Sequence, residues 1–240
     1  MNCGKALNEA LLNSYGDVSV PAARGHGMDI ASQRADTLDL LALERIGALR
    51  GAADGTPAVH ALDVGCGKGG QAARMAQSGA QVLAVDVEDC AQAVRQSMRA
   101  AGVDDRAWIF RRRDIADIGL LAFRPQIVVC QRMIHYLRHG QALRALRALQ
   151  RLAAPGAMLY LSASGLDSML GDGYGARELD LRQRFAPLRP DRAREHNIHR
   201  PVCLYREPEL AALARASGWE PREVFRSDFG NIKLVACKAC

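Results

Sequence analysis

Acidic side chains near the ends of three apolar runs are the first candidates for ligand binding. Asp63 lies in the run 58–64, Asp86 in the run 81–87, and Asp114 in the run 107–115. A buried carboxylate needs a compensating partner, and the ammonium group of a ligand would be one. A carboxylate at Asp86 can accept hydrogen bonds from both hydroxyls of a ribose, and Asp114 can accept one from an exocyclic amine. The three acids therefore favour a cationic nucleoside ligand without phosphates.

A glycine-rich turn, "GCGKGG", follows Asp63 directly. Glycines let the backbone approach a ligand closely. Gly65, Gly67 and Gly70 also satisfy the GxGxxG pattern, with Asp86 21 residues after Gly65, so a dinucleotide-dependent dehydrogenase is an alternative. A turn that joins a strand to a helix without any ligand is the simplest alternative.

The elements that would position these residues alternate between strand and helix. This alternation predicts an α/β fold with a mostly parallel sheet. Two closing strands lack a helix between them, so we expect a C-terminal antiparallel hairpin. The predicted strands span 58–64, 81–87, 107–115, 125–134, 157–164, 220–227 and 231–238, and the predicted helices span 35–50, 69–79, 90–102, 140–156 and 207–218.

Domain boundaries follow from the same pattern. Residues 1–55 are predicted to form an N-terminal helical segment or cap, and residues 56–240 the ligand-binding domain. Residues 164–206 lack strong periodicity and contain several glycines and prolines, which predicts a lid-like insertion.

Composition limits the class of protein. The chain has 240 residues, of which 49% are hydrophobic, and no apolar run approaches the roughly 18–20 residues that span a bilayer. The N-terminus lacks the pattern of a secretion signal. Seven scattered cysteines suit a reducing compartment, so we expect a cytoplasmic protein without a membrane partner. The terminal Cys237 and Cys240 lack a second pair at zinc spacing, and no metal site is predicted.

The net charge of +6 is distributed unevenly. Only four residues are lysines and 28 are arginines, which are concentrated at 111–114 and 181–200. Such stretches attract phosphates or form solvated faces with acidic partners. RNA is therefore an alternative partner to a small molecule.

Four segments together resemble class I S-adenosylmethionine-dependent methyltransferases over residues 58–240. They are "LDVGCGKGG", "AVDVED", the "RDI" after the third strand, and the terminal helix and hairpin. The resemblance implies a Rossmann-like sheet with helices on both faces and S-adenosylmethionine as cofactor. Its methionyl part would lie against the glycine turn, its ribose on Asp86, and its adenine beside Asp114. The cofactor-binding residues implied in this way are Asp63, Gly65, Cys66, Gly67, Gly69, Asp86, Val87, Asp114, Ile115, Cys130 and Gln131.

Two blocks, "GCGKGG" and "CQRMIHY", resemble mRNA cap guanine-N7 methyltransferases. That resemblance implies that His135 and Tyr136 lie beside the methyl acceptor, with Arg132 where the family usually has an aromatic residue. His135 is the candidate catalytic base for a hydroxyl acceptor, and the alternative is a structural histidine in a loop. The candidate substrate-binding residues are Arg132, His135, Tyr136, Tyr174 and Tyr205, whose tyrosines could equally be packing residues.

Missing motifs narrow the predicted reaction. The chain has no Asn/Asp-Pro-Pro-Tyr/Phe motif, Pro201 and Cys203 are not adjacent, and no acidic trio suggests a metal-dependent catechol enzyme. We therefore predict methyl transfer to a small, nitrogen-containing or aromatic acceptor, including purine-like molecules. The alternatives are an RNA guanine or base methyltransferase and a non-catalytic domain that keeps the fold.

Overall fold

The computed structural model describes residues 20–22, 25–51, 58–120 and 122–239. Its centre is a seven-stranded sheet of order β3-β2-β1-β4-β5-β7-β6. Strands β1 to β5 are parallel, and β7 is antiparallel to both β5 and β6. The mostly parallel sheet with a C-terminal hairpin is thus confirmed. The strands are β1 (His60–Val64), β2 (Gln81–Asp86), β3 (Trp108–Arg112), β4 (Ile127–Cys130), β5 (Met158–Ala163), β6 (Trp219–Arg226) and β7 (Ile232–Lys238).

Helices cover both faces of the sheet, as predicted. One face carries α1, α2 and α3, whose apolar side chains share a core with Ala61, Val82 and Val129. The other face carries α4 and α6, which share a core with Leu62 and Val128. Alternate residues of a strand point to opposite faces, so these nearly continuous apolar strands fill both cores. The helices are α1 (Thr37–Gly51), α2 (Gly70–Gln77), α3 (Ala91–Ala100), α4 (His139–Leu152), α5 (Pro190–Glu195) and α6 (Glu207–Ala216).

The start of α1 is fixed by two aspartates. Asp36 Oδ1 accepts hydrogen bonds from the N–H groups of Leu38 (2.9 Å) and Asp39 (3.2 Å). In return, the Asp36 N–H donates to Asp39 Oδ2 over 2.9 Å. This reciprocal arrangement satisfies N–H groups that a helix end leaves without partners. It places both carboxylates at the amino end of α1, where they reach Gln131 and Lys233 of the sheet region.

Residues 25–36 form an irregular segment, with a turn at residues 31–33, that we call the strap. Arg74 of α2 donates to the Ala31 carbonyl over 2.7 Å, and Lys68 pairs with Asp29 at 3.2 Å. At the other end, Asn197 donates to the Gly27 carbonyl over 2.9 Å. The strap therefore links the glycine turn to the segment predicted as an insertion.

Residues 164–206 contain short turns, α5 and their own small core, which includes Leu166, Tyr174 and Ile198. The buried Arg184 anchors this segment, because its guanidinium binds both carboxylate oxygens of Glu209 at 2.6 and 2.9 Å. The N-terminal residues 1–19, 23–24 and 52–55 of the predicted cap lie outside the described residues. Both the cap and the lid therefore stay predictions as domain assignments.

Two strands, β3 and β4, are at least four residues shorter than predicted. β3 ends at Arg112 and β4 at Cys130, so Asp114 and residues 131–134 lie in the turns beyond the sheet. Cys237 is buried in β7, whereas Cys240 lies outside the described residues. Within the part of the chain that the structure describes, no helix is long and apolar enough to cross a membrane.

Candidate functional site

The glycine turn lies between β1 and α2. Gly65, Gly67 and Gly69 all have positive φ angles, of 71°, 51° and 82°, a region that residues with side chains rarely adopt. Gly70 is required for another reason, because a Cβ there would lie 2.1 Å from the Ala31 carbonyl oxygen. The fourth glycine therefore makes room for the strap.

Asp63 is the most unusual acid of the site. Its side chain is buried on the α1 face, and Oδ2 has no hydrogen-bond partner among the described residues. Burial, with the nearby carboxylates of Asp39 and Asp86, raises its pKa to about 7. A buried polar atom without a partner is costly. A ligand ammonium beside Oδ2 would remove this cost, so the atom fits the methionyl ammonium of S-adenosylmethionine.

Asp86 ends β2 beside the glycine turn. Its Oδ2 accepts the N–H of Gly67 over 2.9 Å, and its Oδ1 accepts the N–H of Glu88 over 2.9 Å. Each carboxylate oxygen has a second lone pair, so both can still accept from ribose hydroxyls. The adjacent Val87 is half exposed, which leaves space for a ligand at this edge.

Gln131, directly after β4, lies on the same face. Its amide donates a short hydrogen bond of 2.5 Å to Asp39 Oδ1, and its carbonyl lies 3.4 Å from Ser162 Oγ. Burial and the neighbouring Asp36 raise the pKa of Asp39. A row of polar groups thus crosses the carboxyl edge of the sheet, from Asp63 through Gln131 to Ser162 of β5.

The remaining residues predicted to bind the cofactor lie outside this row of polar groups. Asp114 is exposed, and its Oδ1 accepts the N–H of Ala116 over 2.9 Å, which caps the turn that follows β3. Ile115 packs against the core of the α4 face. Cys66 is buried within the glycine turn. The Cys130 side chain is fully buried in the core of the α4 face, and its assignment to the cofactor site stays a prediction.

A cavity of about 590 Å³ lies beside the turn that follows β4. Its walls come from the strap, from the turn after β4, from β5 and from the β6–β7 hairpin. Arg132, His135 and Tyr136 line it, while the side chain of Met133, between them, lies next to Gly65. The turn after β4 therefore lies between the cavity and Gly65, one of the predicted cofactor-binding residues.

His135 lines the cavity from a short turn, Ile134–Tyr136. It is 2% exposed, and its Nδ1 has no hydrogen-bond partner among the described residues. Burial, with the charge of Arg132 and the neighbouring His26, lowers its pKa to about 3. The imidazole is consequently neutral at physiological pH. Tyr136 packs beside it, with ring centroids 4.2 Å apart.

Tyr174 and Tyr205 do not line this cavity. The Tyr174 hydroxyl donates to the Val202 carbonyl over 2.6 Å, within the small core of the insertion. Tyr205 is fully buried in the core of the α4 face. Both side chains pack in the interior, which was the alternative to substrate binding for these tyrosines.

Sequence reasoning missed three polar residues of this region: Asp36, Asp39 and Lys233. Lys233 lines the cavity and its side chain is 7% exposed, with Asp36 Oδ2 at 3.3 Å from its ammonium. A lysine inside the apolar strand "NIKLVAC" was a usable signal, because buried lysines are rare without a partner. The two aspartates had no such signal, since "DTLD" is an ordinary helix start.

Comparisons with known proteins agree with this geometry. A family model described as a methyltransferase domain matches residues 34–224. The chain belongs to this methyltransferase family. The prediction of a methyltransferase that uses S-adenosylmethionine is thereby confirmed at the level of the family. The finer resemblance to cap guanine-N7 enzymes stays a prediction.

One curated relative of this methyltransferase is the ubiquinone biosynthesis O-methyltransferase of Leptothrix cholodnii. The two are 33% identical over 104 residues, which make up 42% of each chain. The chain therefore matches less than half the length of that relative.

Two solved structures share the fold at low identity. The 1,6-didemethyltoxoflavin-N1-methyltransferase of Burkholderia thailandensis, with S-adenosylhomocysteine bound, has a TM-score of 0.59 at 17% identity, covering 85% of this chain and 79% of the other. The magnesium protoporphyrin IX methyltransferase of Synechocystis PCC 6803, also with S-adenosylhomocysteine, has a TM-score of 0.58 at 16% identity, covering 90% and 92%.

Proposed function

We propose that this methyltransferase methylates a small aromatic or nitrogen-containing molecule held in the cavity beside the glycine turn. The observation that carries the proposal is the cavity itself, which has a volume of about 590 Å³ and lies one turn of chain from Gly65. Cavities of roughly 300–1,000 Å³ are typical of small-molecule sites. The relative and the solved structures named above are, by their names, enzymes of small molecules.

The cofactor assignment extends from the family to particular residues. We assign the methionyl ammonium to Asp63, the ribose hydroxyls to Asp86, and the adenine to the region of Asp114 and Ile115. Bound S-adenosylmethionine supplies an electrophilic methyl group on a sulfonium. At Gly65, Gly67 and Gly69 the turn presents backbone alone to the cofactor, because glycine has no side chain.

The protein's main contribution to this reaction is alignment. Positioning two reactants can lower a barrier by about 7–11 kcal/mol. The strap, the turn after β4 and the hairpin surround the acceptor on three sides. Within this enclosure we assign contacts with the acceptor to Arg132, His135 and Tyr136.

His135 can act as a hydrogen-bond acceptor toward the substrate. Its Nδ1 has no described partner, and its low pKa, about 3, keeps it neutral. A base this weak holds an abstracted proton poorly. The proposed role of His135 is therefore to orient an N–H or O–H of the acceptor.

The RNA alternative loses much of its electrostatic support. Three of the six arginines in residues 181–200 form ion pairs inside the insertion or with α6: Arg184 with Glu209, Arg189 with Asp191, and Arg192 with Glu195. Paired arginines attract phosphates less than free ones. We therefore favour the small molecule.

The test of this proposal is a calorimetric titration of the purified chain with S-adenosylhomocysteine, run beside NAD. We expect micromolar binding of the first alone, and Asp86→Ala should weaken it about 10- to 100-fold because a charge-assisted hydrogen bond is lost. The matched control is Asp105→Ala, an exposed acid at the amino end of β3, which should bind normally. Unchanged affinity of a folded Asp86→Ala variant would refute the ribose assignment, and binding of NAD alone would refute the function.

A further inference from the structure

Lys233 brings a buried positive charge into the wall of the acceptor cavity. It lies in β7, where apolar residues surround it in sequence, and its side chain is 7% exposed. The carboxylate of Asp36 lies 3.3 Å away, but its other oxygen already caps α1 through Leu38 and Asp39. An ammonium has three N–H donors. One carboxylate oxygen does not use all three, so donors remain for an acceptor atom in the cavity.

The register of the sheet places a polar patch around this charge. Lys233 pairs with Ser162 of β5 and with Phe225 of β6. Directly paired residues of antiparallel strands project to the same face, with Cβ atoms about 4.5–5.5 Å apart. All three line the cavity, as does Ser164, two residues beyond Ser162. The hydroxyls of Ser162 and Ser164 therefore lie on the β5 side of Lys233, and the ring of Phe225 lies on the β6 side.

A second cationic residue, Arg132, lies at the edge of this patch, where its backbone is bonded to β5. Arg132 has a φ of 51°, in the left-handed region. Its N–H donates to Ser162 Oγ at 3.0 Å and to the Ser162 carbonyl at 3.2 Å. These bonds to β5 hold the strained turn, and Arg132 lines the same cavity as Lys233.

The cavity walls carry other charged and titratable side chains. Arg226 is bound by Glu207 and Asp167, each at 2.9 Å. The titratable histidines of the walls are His26, His135 and His196. Among the described residues, the charged side chains that line the cavity are Arg34, Asp36, Arg132, Arg226, Asp228 and Lys233.

We propose that the acceptor atom is an acidic oxygen, a phenolic hydroxyl or a carboxyl, which Lys233 and Arg132 hold in its ionised form. The inference rests on the proposed function and narrows its substrate class. Nearby cations favour the charged form of an acid and lower its pKa by about 1–3 units. The site has a neutral, weakly basic histidine, so ionisation by cations replaces proton removal by a base.

The reaction balances without another reactant. The acidic oxygen releases its proton to solvent as it binds beside the cations. One of its electron pairs forms the new O–C bond to the methyl group, while the S–C bond of the sulfonium breaks and its electron pair stays on sulfur. A nitrogen acceptor with a free lone pair would need neither cation.

The experiment uses three probes of similar size on the full chain saturated with S-adenosylhomocysteine. They are 4-nitrophenol, whose absorption reports its ionisation, 4-nitroaniline, a neutral nitrogen analogue, and 4-nitrobenzoate, a carboxylate. We expect an anionic probe to bind at least tenfold more tightly than 4-nitroaniline. The pKa of bound 4-nitrophenol should fall by at least one unit.

Lys233→Met should abolish both the preference and the shift. The single variant leaves Asp36 without its cation. The double variant Lys233→Met with Asp36→Asn keeps the local charge neutral and should also lose both the preference and the shift. The matched control is Arg177→Met, which removes a cation that pairs with Asp167 and does not line the cavity, and it should keep both effects.

The proposal would be overturned by equal or tighter binding of 4-nitroaniline, by an unshifted phenol, by a shift that survives in both Lys233 variants, or by failure of every probe to bind. Binding of S-adenosylhomocysteine in the same samples separates the two proposals. If it binds and the probes show no anionic preference, only this inference fails. If it does not bind, both fail.

Discussion

The buried carboxylate of Asp63, at the edge of the sheet, is a group whose predicted binding role lowers the stability of the free protein. Asp63 lies where a strand would ordinarily continue with an apolar residue, and the fold provides only part of its hydrogen bonding. Its carboxylate is held near those of Asp39 and Asp86. Such a group is unfavourable in the free protein and favourable once a cation binds.

Asp63→Asn should therefore stabilise the protein at alkaline pH. The native pKa, about 7, lies above the ordinary value of 3.8, so the native state binds more protons than the unfolded state between these values. Stability from this group thus falls as pH rises from about 4 to 7. We expect the variant to exceed the wild type by on the order of 2 kcal/mol at pH 8 and by less at pH 5.5, measured by urea unfolding.

The same variant should lose affinity for S-adenosylhomocysteine, which separates stability from binding. Asp105→Asn is the control and should change neither quantity. A variant less stable than the wild type at pH 8 would show that Asp63 has a structural partner, and the ammonium assignment would then be withdrawn.

Secondary-structure elements divide into a framework and the segments that close over it. The strap and the insertion both lie over the carboxyl edge of the sheet, and they contact one another through Asn197 and Gly27. Their attachment to the framework depends on a few buried polar contacts. Arg184 is the clearest of these, since its guanidinium also donates to the Leu179 and Leu204 carbonyls.

Arg184→Met should loosen the insertion. Removing one partner of a buried ion pair typically costs about 3–5 kcal/mol, and we expect the lower end because Glu209 retains some contact with water. Urea unfolding should show the loss, and limited proteolysis should cut faster within residues 164–206.

The matched control is Arg189→Met, whose ion pairs with Asp172 and Asp191 are largely exposed. Its effect on unfolding should be much smaller than that of Arg184→Met, because exposed ion pairs contribute little to stability. Equal effects of the two substitutions would mean that the insertion is held by its apolar core rather than by the buried arginine.

The whole molecule carries a net charge of +6, and some of its 28 arginines form ion pairs within the fold. Arg177, Arg184, Arg189, Arg192 and Arg226 each contact a carboxylate at 3.0 Å or less. These five arginines are neutralised where they lie, so they add little to a surface that could bind a polyanion.

RNA binding should accordingly be weak and unspecific. At physiological salt we expect dissociation constants within the non-specific range of about 10⁻⁶–10⁻⁴ M, the same for guanine-rich and guanine-free oligonucleotides. Heparin should compete with both equally. Filter binding measures the affinity, and labelled S-adenosylmethionine measures transfer. Guanine-dependent methylation of RNA together with submicromolar binding would reinstate the RNA alternative.

Much of the architecture follows from local sequence. Apolar runs bounded by glycine and proline predict the strands, and glycines with positive φ mark the turn after β1. The order of strands and helices leads to the parallel sheet and its closing hairpin, and the resemblance of the motifs leads to the family. These features are readable because each depends on residues close together in the chain, where periodicity and backbone preferences act.

Only the tertiary structure decided the composition of the acceptor site. Ser162 and Lys233 meet through the register of two strands that are 71 positions apart in the chain at this pair, and Asp36 joins them from the start of α1. Because alternate residues of β4 point to opposite faces, Cys130 lies in the core of the α4 face. Tyr174 and Tyr205 pack elsewhere and do not line the cavity. Contacts between distant segments depend on how helices pack over the sheet, and local sequence patterns do not encode that packing residue by residue.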